Sequence, residues 1–173
     1  MEVKSQLRSE IKKSFHDFAV LFFKNPEIEE ACLTLYEKYK VNANMLMLCC
    51  WLAKENYERI TKEHVAFILS RTKRWNSCVL QPLIHLSYRL FPFRQTIRFS
   101  KPYRWVEDGV NRAASVERSL MLDVLRDLEK QTCKEISNMN FALGNIFRYL
   151  EYLQVSLHQN DLEKIYRITT RAI

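Results

Sequence analysis

Glycine occurs twice in the 173 residues and proline four times. Sandwiches and barrels spend glycine at tight turns with positive φ, so this scarcity argues against an all-β chain. Collagen-like and low-complexity chains need far more of both residues. Two glycines also cannot build a phosphate cradle: there is no P-loop, no Gly-x-Gly-x-x-Gly and no Gly-x-Ser-x-Gly. The longest apolar run, Met45 to Ala53, is nine residues, against about 20 for a membrane span. Met1-Glu2-Val3-Lys4 is followed by no apolar stretch, so no secretory leader is expected. Acidic residues are missing altogether between His64 and Trp105.

What is present suffices for a folded core. Hydrophobic residues make up 47% of the chain, which excludes disorder. The five cysteines are Cys32, Cys49, Cys50, Cys78 and Cys133. Their number is odd, no CxxC occurs, and each falls in an apolar periodic stretch. Free thiols acting as small hydrophobes in a reducing cytoplasm are therefore expected.

Apolar spacing is helical nearly throughout. Ile11, Phe15, Phe18 and Phe22 define a first helix that Asn25-Pro26 ends, and Pro26 suits the start of the second. Ile28, Cys32, Leu35 and Tyr39 line that second helix. Asn42 is placed to cap a third, apolar on all sides and therefore central. Thr61 is placed to cap a fourth, with Val65, Ile68, Thr72, Trp75, Val79, Leu83, Leu86 and Leu90 along one face. Pro82 predicts a kink near Gln81. The stretch 92–102, bracketed by prolines, reads as a linker. Val106, Val110, Ala113, Leu120, Val124 and Leu128 mark a long fifth helix with Gly109 as a weak point. Leu143, Ile146, Leu150, Leu153 and Leu157 mark a sixth, at a spacing that suits packing within the monomer or on a second copy. Leu162, Ile165 and Ile168 allow a short last helix. The expected fold is an all-α, compact multi-helix bundle of about seven helices, with a kinked fourth helix and longer C-terminal helices. It reads as a single domain, 1–173: a core at 1–91, the linker, and helices at 103–173 packed on the core or on a partner.

The strings Pro26-Glu27-Ile28-Glu29-Glu30-Ala31-Cys32-Leu33-Thr34-Leu35 and Asn42-Ala43-Asn44-Met45-Leu46-Met47-Leu48-Cys49-Cys50-Trp51-Leu52-Ala53 resemble an uncharacterised proteobacterial family. Its pattern is P-G-V-x-x-A-C-L, then N-x-N-L-L-L-x-C-x-W-L-A. Trp75 with Val79-Leu80-Gln81-Pro82-Leu83 is similar to a further segment of it. The resemblance covers about residues 13–91; Glu27-Ile28 stands in place of Gly-Val, and Tyr36 in place of Gln. It implies a bacterial, cytoplasmic, all-helical protein and brings no catalytic residue or cofactor.

Candidate sites are few. Asn44, Trp51 and His85 are candidates for a small helical pocket; the competing role for Asn42 and Asn44 is capping and loop tethering. No His lies at i, i+4 from another or in Glu-x-x-His, so no metal site and no cofactor are expected. Cys49-Cys50 lies in an apolar helix, where thiolate formation is suppressed. The strongest signal is the basic segment carrying Arg71, Lys73, Arg74, Arg94, Arg98, Lys101 and Arg104, interleaved with Trp75, Tyr88, Phe91, Phe93, Phe99, Tyr103 and Trp105. Trp75 is assigned to the core by its spacing. Such a segment suits phosphates and bases, an acidic protein, or a solvated face. The expected function is non-enzymatic binding of a protein partner, or self-association as a homodimer. Nucleic-acid or polyanion binding and small-ligand binding are the alternatives.

Overall fold

Side-chain caps set where the helices begin. Asn25 accepts from the Glu27 amide at 3.0 Å, and Pro26, which has no N–H to leave unpaired, opens α2 (Pro26–Tyr39) behind α1 (Glu2–Lys24). Asn42 accepts from the Asn44 and Met45 amides at 2.8 and 3.3 Å and starts α3 (Ala43–Lys54). Thr61 and His64 cap α4 (Lys62–Trp75) reciprocally. The His64 amide donates to the hydroxyl at 3.3 Å and the Thr61 amide to Nδ1 at 3.2 Å. A π turn over Asn76–Leu80 leads into α5 (Gln81–Leu90). A 3-10 turn at Phe91–Phe93 precedes α6 (Ile97–Met121), and another at Leu122–Arg126 follows it. Ser137 caps α7 (Asn138–Tyr152), and α8 (Gln159–Ala172) is last.

This computed structural model describes the backbone of residues 2–126, 128, 130 and 137–173, and their side chains apart from those of 2–8, 97–99 and 125–126. Among the described residues there is no strand, only an isolated bridge between Tyr57 and Lys130. The fold is an all-α bundle. No helix among them is long and apolar enough to cross a membrane.

The chain divides into two compact units. Unit 1 comprises residues 1–66 and 124–173; unit 2 comprises 67–123. In unit 1, α3 is the axis: all ten residues from Asn44 to Ala53 are buried. Helices α1, α2, α7 and α8 pack on it. Trp51 meets Phe15 edge-on at 4.9 Å and Tyr57 at 5.5 Å, and its Nε1 donates to Ser14 at 3.2 Å. Leu143, Ile146 and Leu150 of the sixth predicted stripe are buried inside this unit, while α7 ends before Leu153 and Leu157, which are half-buried. Asn145, wholly buried on α7, accepts from the Ile60 amide at 3.2 Å and donates to the Cys49 carbonyl at 3.4 Å. One amide thus ties the 55–60 loop to α3.

In unit 2, the place near Gln81 where Pro82 predicts a kink holds a π turn, and the helix runs on through it from α4 into α5. Proline supplies no N–H and its ring crowds the carbonyl four residues back. The backbone widens to a π turn instead, with the Gln81 amide donating to Asn76. The extra residue in that turn rotates the apolar stripe: Leu80, rather than Val79, is buried, and Leu86 is 44% exposed. Trp75 is half-buried rather than core, with Nε1 donating to the Ala113 carbonyl at 2.8 Å. Asn76 donates to the buried Glu117 at 2.7 Å. Both bonds fasten the turn to α6. The segment 92–102 is largely helical: it holds the end of the 3-10 turn and the first residues of α6, with Pro102 six positions into that helix.

Candidate functional site

The thiols are placed for packing. Cys32, Cys49 and Cys50 are buried and free. Burial pushes Cys32 up to about 12, with Glu29 adding to it, and burial likewise pushes Cys49 and Cys50 well up. None is an activated nucleophile. Cys78, expected in the core, is exposed because it lies in the π turn. Cys133 falls outside the described residues. No group of three or more His, Cys, Asp or Glu among the described residues is arranged to hold a metal.

Asn44 and Trp51 both sit on α3, seven residues apart, enclosed by the unit 1 core. His85 belongs to unit 2, where it is exposed and its Nδ1 lies 2.9 Å from the Gln81 carbonyl one turn back. Two concavities of unit 1 lie elsewhere. A trough of about 470 Å³ is lined by Phe147, Leu150, Val155, Leu157 and Leu162, with Glu151 at its edge. A polar hollow of about 310 Å³ lies among Arg59, Lys62, Glu63 and Arg148. Glu151 pairs there with Lys62 at 2.7 Å and Arg148 at 3.2 Å, which leaves little free charge for a ligand. Sequence spacing marked Leu150, Leu157 and Leu162 as helix faces, and nothing local signalled the concavity that the 153–158 connection creates.

Unit 2 collects the charge. It holds ten basic and four acidic residues, against seventeen and sixteen in unit 1. Among the described residues the predicted cations do not share one face. Arg71 and Lys73 flank the buried Thr72 on opposite sides of α4, with Arg74 near Arg71. Arg71 is paired with Asp123 at 3.3 Å. Arg94 lies over the Phe91 ring at 3.7 Å, and Phe91 meets Tyr103 edge-on at 6.3 Å. The Arg98 side chain lies outside the described set. Lys101 and Arg104 do share a surface, the exposed side of α6, with Trp105 and Arg112.

Two features escaped the sequence reading. Arg112 lies beyond the acid-free segment, yet Lys101, Trp105, Asp108 and Arg112 stand at i, i+4, i+7 and i+11, one helical stripe. A wheel drawn on α6 would have found it. Helix α5 is the second: it buries none of its ten residues. Leu83 lies on α6 at Gly109, while Leu86 and Tyr88 stay 44% and 50% exposed.

A family model described as "Protein of unknown function (DUF2390)" matches residues 14–132, more than half of the chain and through the whole of unit 2. No curated protein and no solved structure matches the chain.

Proposed function

We propose a non-catalytic role for this chain, which belongs to the family of unknown function DUF2390: it binds a protein partner through the α5 side of unit 2. The observation that carries this reading is the set of large apolar side chains that α5 and the turn after it leave exposed. A ten-residue helix is marginal in isolation and takes its stability from packing. Here no residue of it is buried. Leu86, Tyr88, Phe91 and Phe93 are 44 to 50% exposed over α5 and the turn that follows. Aliphatic and aromatic side chains grouped in this way suit the centre of a protein interface, with Arg89 at the rim.

The partner is a different protein rather than a second copy. Two copies meeting at this surface would bring together two units that each carry an excess of six positive charges. A bacterial cytoplasm is the setting we infer, supported by the family-like segments around Cys32 and Trp51 and by three buried free thiols. A non-catalytic role is supported by the missing nucleophile and phosphate motifs.

The test is affinity capture from the native host with three baits: the native chain, Leu86→Ser/Tyr88→Ser/Phe93→Ser, and Tyr166→Ser on α8 as a control. A protein kept by the native and control baits and lost by the triple variant supports the reading. Equal recovery by all three, or no specific protein with any, overturns it. Circular dichroism checks that the triple variant is folded.

A further inference from the structure

A second surface of unit 2 carries different chemistry from that of α5. On the outer side of α6, Lys101, Arg104, Trp105 and Arg112 are all exposed. Trp105 shows 72% of its surface, more than any other large hydrophobic side chain among the described residues. Tryptophan joins a large apolar ring to a polar N–H, which suits it to surfaces that meet a partner. Seven other described cations, Lys38, Lys62, Arg71, Lys130, Arg148, Lys164 and Arg171, sit in ion pairs. Among the described residues Lys101, Arg104 and Arg112 make no ion pair, and Trp105 stacks on no other ring. The backbone between Lys101 and Arg112 spans about 16 Å.

We propose that this face of α6 binds single-stranded nucleic acid, one base stacking on the Trp105 indole and neighbouring phosphates held by Lys101, Arg104 and Arg112. Stacking is tolerant of sequence because every base has a π face. In a duplex the bases are already stacked and paired, so the indole would gain nothing there. A protein interface is built around a contiguous apolar centre. Among the described residues, those one turn away from this ring on α6 are Lys101, Pro102, Asp108 and Gly109, with Arg104 beside it and no large apolar side chain in the set. A lone indole with Lys101, Arg104 and Arg112 exposed along the same side of the helix fits a base and its backbone. Asp108 opposes the phosphates, and it supplies the sharpest test. The surface is separate from Leu86, Tyr88 and Phe93, so this inference stands or falls apart from the protein-partner reading.

The probe is a fluorescently labelled oligo-dT of about twelve nucleotides, read by anisotropy at about 20 and about 150 mM NaCl. Binding should weaken steeply with salt and quench tryptophan emission. Trp105→Ala should weaken it roughly 5- to 100-fold, the loss of one stacked base, while Trp105→Phe retains most of it. Arg104→Glu should weaken binding and flatten the salt slope. Asp108→Asn should tighten it several-fold, and the α5 triple variant should leave it unchanged. All these positions are exposed on a helix, and circular dichroism checks each variant. The proposal is overturned if the oligonucleotide does not bind at low salt, if Trp105→Ala binds like the native chain, or if Asp108→Asn does not tighten binding. It is equally overturned if a duplex of the same length binds as well, or if poly-glutamate displaces the oligonucleotide as effectively as unlabelled oligo-dT, which would point to an acidic protein.

Discussion

Lys40, Asn56 and Gln154 hold φ of 58, 63 and 56°, the left-handed region that favours glycine, while both glycines stand inside helices. Each of the three costs about 1–2 kcal/mol relative to a residue without a Cβ. Conversely, glycine in a helix interior costs about 0.5–1 kcal/mol relative to alanine. At Gly109 a Cβ would lie 3.7 and 3.8 Å from the Leu83 methyls, an ordinary contact. Gly109→Ala should therefore raise stability by about 0.5–1 kcal/mol, and Gln154→Gly by about 1 kcal/mol, both read by urea denaturation. A midpoint that falls for Gly109→Ala would mean that α5 and α6 approach more closely than these distances allow. Gly144 is a poorer site, because the new Cβ would meet the Arg59 guanidinium at 3.4 Å. The scarcity of glycine thus announced a helical chain correctly. It could not say where the two glycines stand, because a left-handed residue is required by the direction in which the chain leaves a helix, and that direction is set by packing.

Helix ends were legible because their causes are local. Asn25, Asn42 and Thr61 cap the helices that follow them, and Pro82 is met by a π turn in the fourth, each within a few residues of its effect. The pairing of α2 with α8 was not legible, since its contacts join residues more than a hundred positions apart. Asp161, in the first turn of α8, is fully buried beneath its donors. It accepts from Lys164 at 2.9 Å, Tyr39 at 2.8 Å and Lys38 at 3.0 Å. At the other end of the pair, Arg171 grips Glu27 through two bonds of 3.1 Å, which sets the helices antiparallel. The Lys164 and Tyr39 hydrogen bonds, with Lys38, hold the Asp161 carboxyl well below its ordinary value of 3.8, against the opposing effect of burial. A depressed native pKa stabilises the fold wherever the unfolded carboxyl is already ionised, and that share is lost as pH falls. Asp161→Asn should cost about 1.5–3 kcal/mol at neutral pH. The gap between variant and native chain should narrow progressively below about pH 4. Denaturation curves at pH 7, 5 and 3 check this, and a gap independent of pH would show that Asp161 acts by shape alone.

At the scale of the molecule, the sequence showed that positive charge was concentrated, and the structure makes the concentration a unit. Residues 67–123 carry six of the seven excess charges, while the rest of the chain is nearly neutral. The acid-free segment alone suggested one basic surface. In three dimensions the cations divide among α4, the 91–94 turn and α6, because helices that turn 100° per residue scatter neighbours in sequence around the axis. The same division separates the stability of the two units. Unit 1 is organised around a helix buried on every side, with aromatic and aliphatic side chains from four others against it. In unit 2 the fully buried apolar side chains among the described residues are Ile68, Leu80, Ala113 and Met121. Its α5 adds none, and repulsion among its cations opposes compaction. Local opening is easiest where few apolar contacts must be broken. Hydrogen exchange followed by mass spectrometry should therefore find the amides of α3 and α7 protected longest and those of α5 among the first to exchange. Raising the salt concentration should slow exchange in unit 2 more than in unit 1, since screening relieves only the charged unit. Protection of α5 equal to that of α3 in the free chain would mean that its exposed apolar face is already satisfied, and would remove the reason for seeking a partner there.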